Sequence, residues 1–265
     1  MNFLPTPRKS NKKSKSIHSW LLGISIFTAL PIAMIVSETR PAQAGVARAF
    51  TKRYQTQING TIRIVGNSNT TCSTVLTTCA NAQNRIGTGA ALNNNSNVIQ
   101  YVNTAGGVFN SSSADFTLPA NATIKSASLY WGANTSSGAT FNGVVGVNAP
   151  TPTDKNKVRF KIGGGGYQTL TADKIDLGSD GAGGAAASIY HAFKDVTSLI
   201  KNQAANSTQT YSVADIQAGI GSDRYSGWSL IIVYEDPLEP WRELDVFDGF
   251  AVVSGADVTT NISGF

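Results

Sequence analysis

Residues 224–250 read RYSGWSLIIVYEDPLEPWRELDVFDGF, and this stretch decides the fold class. Its segment 228–234 is the longest apolar and β-branched run after residue 44, and the turn residues 235–237 end it. Such a run between turn residues predicts a buried strand, and the tryptophan that begins it, Trp228, is expected in the core. A second strand, 244–253, follows the turn. The stretch therefore predicts a β-rich domain.

Short strand patterns separated by turn clusters continue along most of the chain. Residues 50–65 alternate apolar and polar side chains around Asn59-Gly60, which is itself a hairpin-type turn signal. Apolar residues recur at helical spacing in 188–202, which predicts a short amphipathic helix. The predicted fold class is all-β, a jelly-roll-like β-sandwich with that one short helix, and a pair of smaller β domains is the alternative. Further strands are predicted at 124–132, 144–147, 158–162, 167–170 and 211–216.

Residues 1–44 have the pattern of a secretory signal peptide. Five Lys and Arg residues between positions 8 and 15 precede an apolar core, 20–36, and the motif Ala42-Gln43-Ala44 follows it. The alternative is an uncleaved membrane anchor, but Gly23 and Pro31 interrupt the apolar core. We predict a signal peptide at 1–44, a mature domain at 45–265, and a secreted, extracellular or cell-surface location.

The positive net charge of the chain comes from the leader. Six of the 21 basic residues and one of the 16 acidic residues lie in 1–44, so the remaining chain carries 15 of each. A nearly neutral mature domain lacks the basic surface that nucleic acids and anionic membranes require. We therefore expect no nucleic-acid partner, and no membrane association once the leader is cleaved.

Two cysteines, Cys72 and Cys79, are the only ones in the chain. In an exported protein two cysteines this close together predict a local disulfide, and free thiols are the alternative. Two residues cannot complete a four-ligand zinc site.

The sequence offers little catalytic apparatus. The mature chain has a single histidine, His191, and it lacks the Gly-x-Ser-x-Gly, His-Glu-x-x-His and Walker motifs. Acidic residues crowd the turn after the predicted strand 228–234, and glycosidases use a pair of carboxylates. Nothing in the sequence, however, fixes two carboxyl groups at the separation that these enzymes require. We predict that the protein is not an enzyme and needs no cofactor, with calcium as the one open possibility.

The calcium hypothesis rests on residues 176–181, DLGSDG. Asp176 and Asp180 lie four residues apart ahead of a glycine, as in part of a calcium-binding loop. The intermediate ligand and the terminal glutamate of such a loop are missing, so a plain glycine-rich turn is the alternative.

The turn after the predicted strand 228–234 holds the candidate ligand-binding residues. Tryptophan offers an apolar face with a polar edge, which suits sugar rings, and Pro240 and Arg242 place Trp241 in a loop. Trp131, by contrast, lies in a strand pattern and is expected in the core. The candidate ligand-binding residues are Glu235, Asp236, Glu239, Trp241 and Glu243.

Several segments resemble the N-terminal head region of large secreted bacterial surface proteins, adhesin-like and containing DUF11-type repeats. The likeness is carried by 109–115, 129–132, 158–161, 211–214 and, above all, 225–237 with 246–250. It covers most of 50–265 and implies an adhesin-like or envelope-associated role, with cell-surface or matrix components, including glycans, as partners.

The sequence ends at Phe265, inside what the pattern suggests is a strand-rich domain. Either the chain is a fragment of a longer repeat protein, or a partner strand completes an open sheet edge, which implies self-association. Three functions remain open: an exported non-catalytic structural or adhesive domain, a carbohydrate-binding module or degenerate glycan-acting enzyme, and a fibre-forming subunit that assembles by strand addition.

Overall fold

The computed structural model describes residues 45–73, 77–178, 187–253 and 257–265, which lie within one compact unit, Arg40–Phe265. The predicted signal peptide, 1–44, lies outside the described residues. Within the described ranges, no helix is both long enough and apolar enough to span a membrane.

Strands dominate the described residues, in which two short α-helices and three 3₁₀ turns join them. The helices are α1, Thr77–Gln83, and α2, Thr197–Ile200. The strands are β1 Gly45–Ser68, β2 Thr70–Cys72, β3 Ile99–Tyr101, β4 Ser111–Leu118, β5 Thr123–Asn134, β6 Lys157–Ile162, β7 Gln168–Thr171, β8 Lys174–Gly178, β9 Ile189–Asp195, β10 Ser207–Ala214, β11 Ser226–Glu235 and β12 Trp241–Val252.

Two antiparallel sheets pack face to face, and β11 lies in the larger one. That sheet has the order β12-β1-β11-β5-β9-β8, the smaller has the order β4-β10-β6-β7, and β2 and β3 form a separate pair. The pairs β4–β10 and β5–β9 nest in sequence while they alternate between the two sheets, which is the jelly-roll-like pattern. The prediction of an all-β sandwich is confirmed, as is the strand at 228–234.

The main core lies between the two sheets, where alternate side chains of each strand point inward. Trp131 and Trp228 are neighbours across β5 and β11 and are almost fully buried, as predicted. Phe160 and Tyr211 supply stacked rings from the smaller sheet, with centroids 6.0 Å apart. The indole of Trp228 donates a hydrogen bond to Ser112 Oγ at 2.8 Å, which ties the two sheets at one seam.

The strand β1 serves two parts of the fold. Its residues 60–68 pair with β11, whereas its residues 45–59 pair with β12, and we call this second pairing the ribbon. A side chain at Gly60 would place its Cβ 2.3 Å from the carbonyl oxygen of Tyr234, so only glycine fits where β1 changes partners. The strand β1 continues through Asn59-Gly60, so this turn signal does not mark a hairpin.

The ribbon forms a third layer over the outer face of the larger sheet. Val233 of β11 packs there with Leu244 and Val246 of β12 in a small hydrophobic cluster. Further along, the guanidinium of Arg53 lies 4.1 Å from the ring centroid of Phe193 in β9. The larger sheet is thus covered on both faces, which explains why both faces of β11 carry apolar residues from Leu230 to Tyr234.

The prediction of a helix at 188–202 is wrong, because residues 189–195 form the strand β9, and only one helical turn, α2, follows it. Tyr190 and Ala192 face the main core, while His191 and Phe193 face the ribbon. A strand buried on both faces has no polar face, so its apolar residues follow no period of two.

Two further differences concern loops. Residues 144–147 form isolated bridges instead of the predicted strand, with Val145 exposed. The cysteine segment holds α1, the longest helix among the described residues, which the sequence did not predict. The predicted disulfide between Cys72 and Cys79 is confirmed, and it packs with Ile99 in a small separate cluster.

Candidate functional site

The acidic turn after β11 is a network of paired groups. Glu235 forms a salt bridge with Lys125 at 2.6 Å, and Glu239 forms one with Arg242 at 3.1 Å. Asp236 is buried, and its carboxylate accepts a hydrogen bond from the backbone N–H of Leu238, which holds the turn together. These carboxylates therefore shape the turn.

The remaining two candidates in this region differ in exposure and contacts. Glu243 accepts hydrogen bonds from the side-chain amides of Gln55 and Gln57 on the neighbouring strand β1. Trp241 begins β12 and is 66% exposed, so it presents most of its ring to solvent. The structure thus places Trp241 at the surface, as expected, but at the start of a strand paired with β1 instead of in a loop. The acids beside it already have partners.

The calcium candidate Asp176 lies on β8, where both of its carboxylate oxygens accept hydrogen bonds from Arg48 at 2.8–3.0 Å. Its proposed companion, Asp180, lies outside the described residues. Among the residues that are described, no group of three or more His, Cys, Asp or Glu side chains is placed to hold a metal ion.

Asp176 belongs to an ionic cluster that joins the ribbon to the larger sheet. Arg48 also donates to Asp248 at 2.8 Å, and Arg53 forms a second salt bridge to Asp248 at 2.7 Å. The phenol of Tyr130, from β5, donates to Asp248 at 3.1 Å. Two arginines and two aspartates thus neutralise one another across three strands, and we call them the ionic cluster.

The ionic cluster shifts the titration of its members. Burial pushes the pKa of Asp248 upward, but the hydrogen bonds from Arg48 and Arg53 outweigh it and hold the pKa below its usual value. The hydrogen bond to Asp176 raises the pKa of the Arg48 guanidinium. Burial, reinforced by the Asp248 charge, raises the pKa of Tyr130 to about 12. At neutral pH the Asp248 carboxylate is therefore charged and the Tyr130 phenol is protonated.

His191, the single histidine of 45–265, lies next to this cluster. Its imidazole stacks on the ring of Tyr130, with centroids 5.4 Å apart and ring planes 12° apart. Burial lowers the pKa of His191 more than the nearby Asp176 and Asp248 raise it. The imidazole is consequently neutral at pH 7, with one nitrogen that donates and one that accepts hydrogen bonds.

A cleft of about 580 Å³ opens beside His191, between the ribbon and the outer face of the larger sheet. The ribbon contributes Phe50 and Phe250 to its walls, and the sheet side contributes Tyr225, His191 and Ser229. Aromatic rings thus dominate the cleft, with a hydroxyl, a phenol and an imidazole among them. We call it the aromatic cleft.

Backbone irregularities shape the ribbon side of the aromatic cleft. The pairing of β1 with β12 shifts register three times between Val46 and Tyr54, and Phe50 lies inside this irregular stretch. Bulges of this kind redirect side chains and are frequent beside functional sites. A side chain at Gly249 would place its Cβ 2.4 Å from the ring of Phe50, so glycine is required for that ring to lie across the ribbon.

The sequence did not reveal the aromatic cleft or the ionic cluster. Phe50 and Phe250, or Arg48 and Asp248, are separated by most of the chain, and only the pairing of β1 with β12 brings them together. The available signals were weak: Arg48 and Arg53 around the start of the first strand pattern, and the dipeptide Asp248-Gly249 inside the last one.

Comparisons with known proteins give one match. A family model described as "Protein of unknown function (DUF3344)" matches residues 79–264. No curated protein matches. No solved structure matches. The family description does not bear on the resemblance to adhesin-like head regions, which stays a prediction.

Proposed function

The chain belongs to the DUF3344 family of proteins of unknown function, and from its geometry we propose that it is an exported, non-catalytic β-sandwich domain with a structural or adhesive role at the cell surface. The observation that carries this proposal is the ionic cluster. Its carboxylates, of the kind that a hydrolase would use for chemistry, are each paired with arginine. The ribbon is joined to the sheet by the Arg48–Asp176 salt bridge and by the hydrogen bond from Tyr130 to Asp248. The charged groups of the ionic cluster therefore stabilise the fold.

Two features support the exported location. The Cys72–Cys79 disulfide is of a kind that persists in oxidising compartments and is rare in the cytosol. The basic and apolar pattern of 1–44, ending in a small-residue cleavage motif, is what a secretion pathway recognises. The adhesive role also draws on the resemblance to head regions of secreted surface proteins.

Surface location is tested by protease treatment of intact cells that produce the chain with a C-terminal tag. The matched control is the same chain without residues 1–44. We expect protease to remove the tag of the full chain in intact cells, and that of the control only after lysis. Protection of the full chain until lysis would contradict the proposal.

The adhesive role is tested separately in the source organism. Cells lacking the gene are compared with cells complemented by the full chain and by the leaderless control, in attachment to abiotic surfaces and to other cells. We expect only the full chain to restore attachment. Normal attachment of the deletion strain, both to abiotic surfaces and to other cells, would count against the adhesive role.

Assembly by strand addition is the alternative that concerns β12. This strand lies at the end of the strand order of its sheet and is 12 residues long, so an edge is available for pairing. Four of its residues are charged, and charges on an edge strand oppose pairing. The four charged residues are Arg242, Glu243, Asp245 and Asp248. Elution as concentration-dependent oligomers in size-exclusion chromatography would favour the alternative.

A further inference from the structure

The aromatic cleft has the size and character of a small-molecule site. Clefts that bind such ligands occupy roughly 300–1,000 Å³ and combine apolar or aromatic walls with a few polar groups. At about 580 Å³, the cleft falls within this range. Its walls come from two layers that are tied together by the ionic cluster, so they are held in place before a ligand arrives.

The charge of the lining restricts the ligand. None of the described residues that line the cleft is Asp, Glu, Lys or Arg. The ionic cluster lies beside Tyr130 of the lining, and its Arg48 and Arg53 are paired with Asp176 and Asp248. A charged ligand would lose its hydration without gaining a partner, so the cleft favours an uncharged molecule.

The arrangement of the walls restricts the ligand further. Phe50 and Phe250 offer ring surfaces from the ribbon, while the Ser229 hydroxyl and the His191 imidazole lie on the sheet side. A molecule that fits must combine an apolar face with hydroxyl groups around its edge. Pyranose sugars have this construction, because their axial C–H groups form an apolar patch within a rim of hydroxyls, and aromatic rings stack on that patch.

We infer that the aromatic cleft binds an uncharged saccharide, with one sugar ring against Phe250 and its hydroxyls bonded to Ser229 and His191. This saccharide site extends the proposed function, because it supplies a ligand for a surface domain. It rests on the proposed function only for the cellular location at which the ligand is bound. It moves the saccharide site away from Trp241 and the acidic turn, where the sequence alone placed it.

The test uses the full chain purified after export. Titration calorimetry and ligand-detected NMR are run with the methyl glycosides of glucose, galactose and mannose, with N-acetylglucosamine, and with N-acetyltryptophanamide as the aromatic peptide analogue. We expect at least one sugar to bind. N-acetyltryptophanamide should bind more weakly than that sugar.

Variants locate the site. Phe250→Ala removes one wall, and we expect sugar affinity to fall about tenfold, the loss expected for one aromatic contact. Ser229→Phe fills the cleft without removing a wall, and it should abolish binding while the chain stays folded. The matched control is Trp241→Ala, an aromatic on the same strand but outside the cleft lining, which should change affinity by less than about twofold.

Three results would overturn the inference: no sugar binds, N-acetyltryptophanamide binds more tightly than every sugar, or Trp241→Ala abolishes binding while Ser229→Phe preserves it. The first two exclude saccharides as the ligand class, and the third moves the site to the acidic turn. The protease test on intact cells is independent of all three, so a failure here is distinguishable from a failure of the proposed surface role.

Discussion

Asp248→Asn is the sharpest test of how the ribbon is held. The wild-type carboxylate is 6% exposed, and it accepts hydrogen bonds from two arginines and from Tyr130. The amide keeps the shape but removes the charge, which leaves Arg53 without its salt bridge. Loss of one partner from a buried ion pair costs about 3–5 kcal/mol.

The low end of that range applies here. The side chains of Arg48 and Arg53 are 20% and 30% exposed, so water partly replaces the lost carboxylate. We expect the free energy of unfolding to fall by about 3 kcal/mol. For a domain of this size that change lowers the Tm by roughly 6–12 °C.

The low pKa of Asp248 determines how its contribution to stability changes with pH. The pKa of Asp248 is lower in the folded chain than the value of about 3.9 for an unfolded aspartate, so its stabilisation is fully present above that value. It is lost as the pH falls through the lower folded pKa. The difference in stability between wild type and Asp248→Asn should therefore be full at pH 7 and shrink below about pH 4.

Urea is the denaturant of choice, because guanidinium chloride would screen the ion pairs. The control is Glu235→Gln, which breaks the salt bridge to Lys125, where both side chains are about two-fifths exposed. That change should cost less than about 1 kcal/mol. Equal costs for the two variants, or a cost of Asp248→Asn that does not vary between pH 7 and pH 2, would refute the structural role of the ionic cluster.

Three further predictions concern other parts of the fold. Replacing both Cys72 and Cys79 by Ser opens a loop with a sequence separation of 7 and should cost about 2 kcal/mol, and wild type in reductant should match the variant in thermal unfolding. Leu230→Ala, in the fully buried core, should cost about 3 kcal/mol in urea unfolding, whereas the exposed Trp241→Ala should cost less than about 0.5 kcal/mol; equal losses would contradict the assigned core. Because Arg48 already occupies Asp176, about 10 mM calcium should leave the Tm unchanged, whereas a site of ordinary extracellular affinity would raise it.

Strands with one strong local signal were predictable from the sequence. The run 228–234 has apolar residues at six of its seven positions, three of them β-branched, so burial on either face produces the same strand. The neighbouring strand that contains Trp131 alternates clearly enough to be assigned. The disulfide followed from the close spacing of its cysteines. In each case the information lies within a few residues of the element that it specifies.

The segment 188–202 shows where local reasoning fails. Its apolar residues fit helical spacing because β9 is covered on one side by the smaller sheet and on the other by the ribbon. The second cover is the ribbon, in which Arg53 of β1 contacts Phe193 and β12 begins about fifty residues further along the chain. No window of sequence around His191 contains that information, so the period alone could not distinguish a strand from a helix.

Most of the candidate site could not be predicted from the sequence for the same reason. Trp241 was correctly expected at the surface, because its proline-flanked position is a local feature. The aromatic cleft depends on Phe50 and Phe250 meeting across the ribbon, with the bulges of β1 and the glycine at 249 setting their directions. Register between distant strands is a tertiary property, so the sequence showed the aromatic residues without showing that they share a site.

The most direct measurement of the central claim is the N-terminal sequence of the chain recovered from the outside of the cell. An exported surface domain should be released from intact cells by protease and, in untreated envelope fractions, should begin at Gly45. A chain that retains residues 1–44 and is found only in the cytosolic fraction would contradict the account.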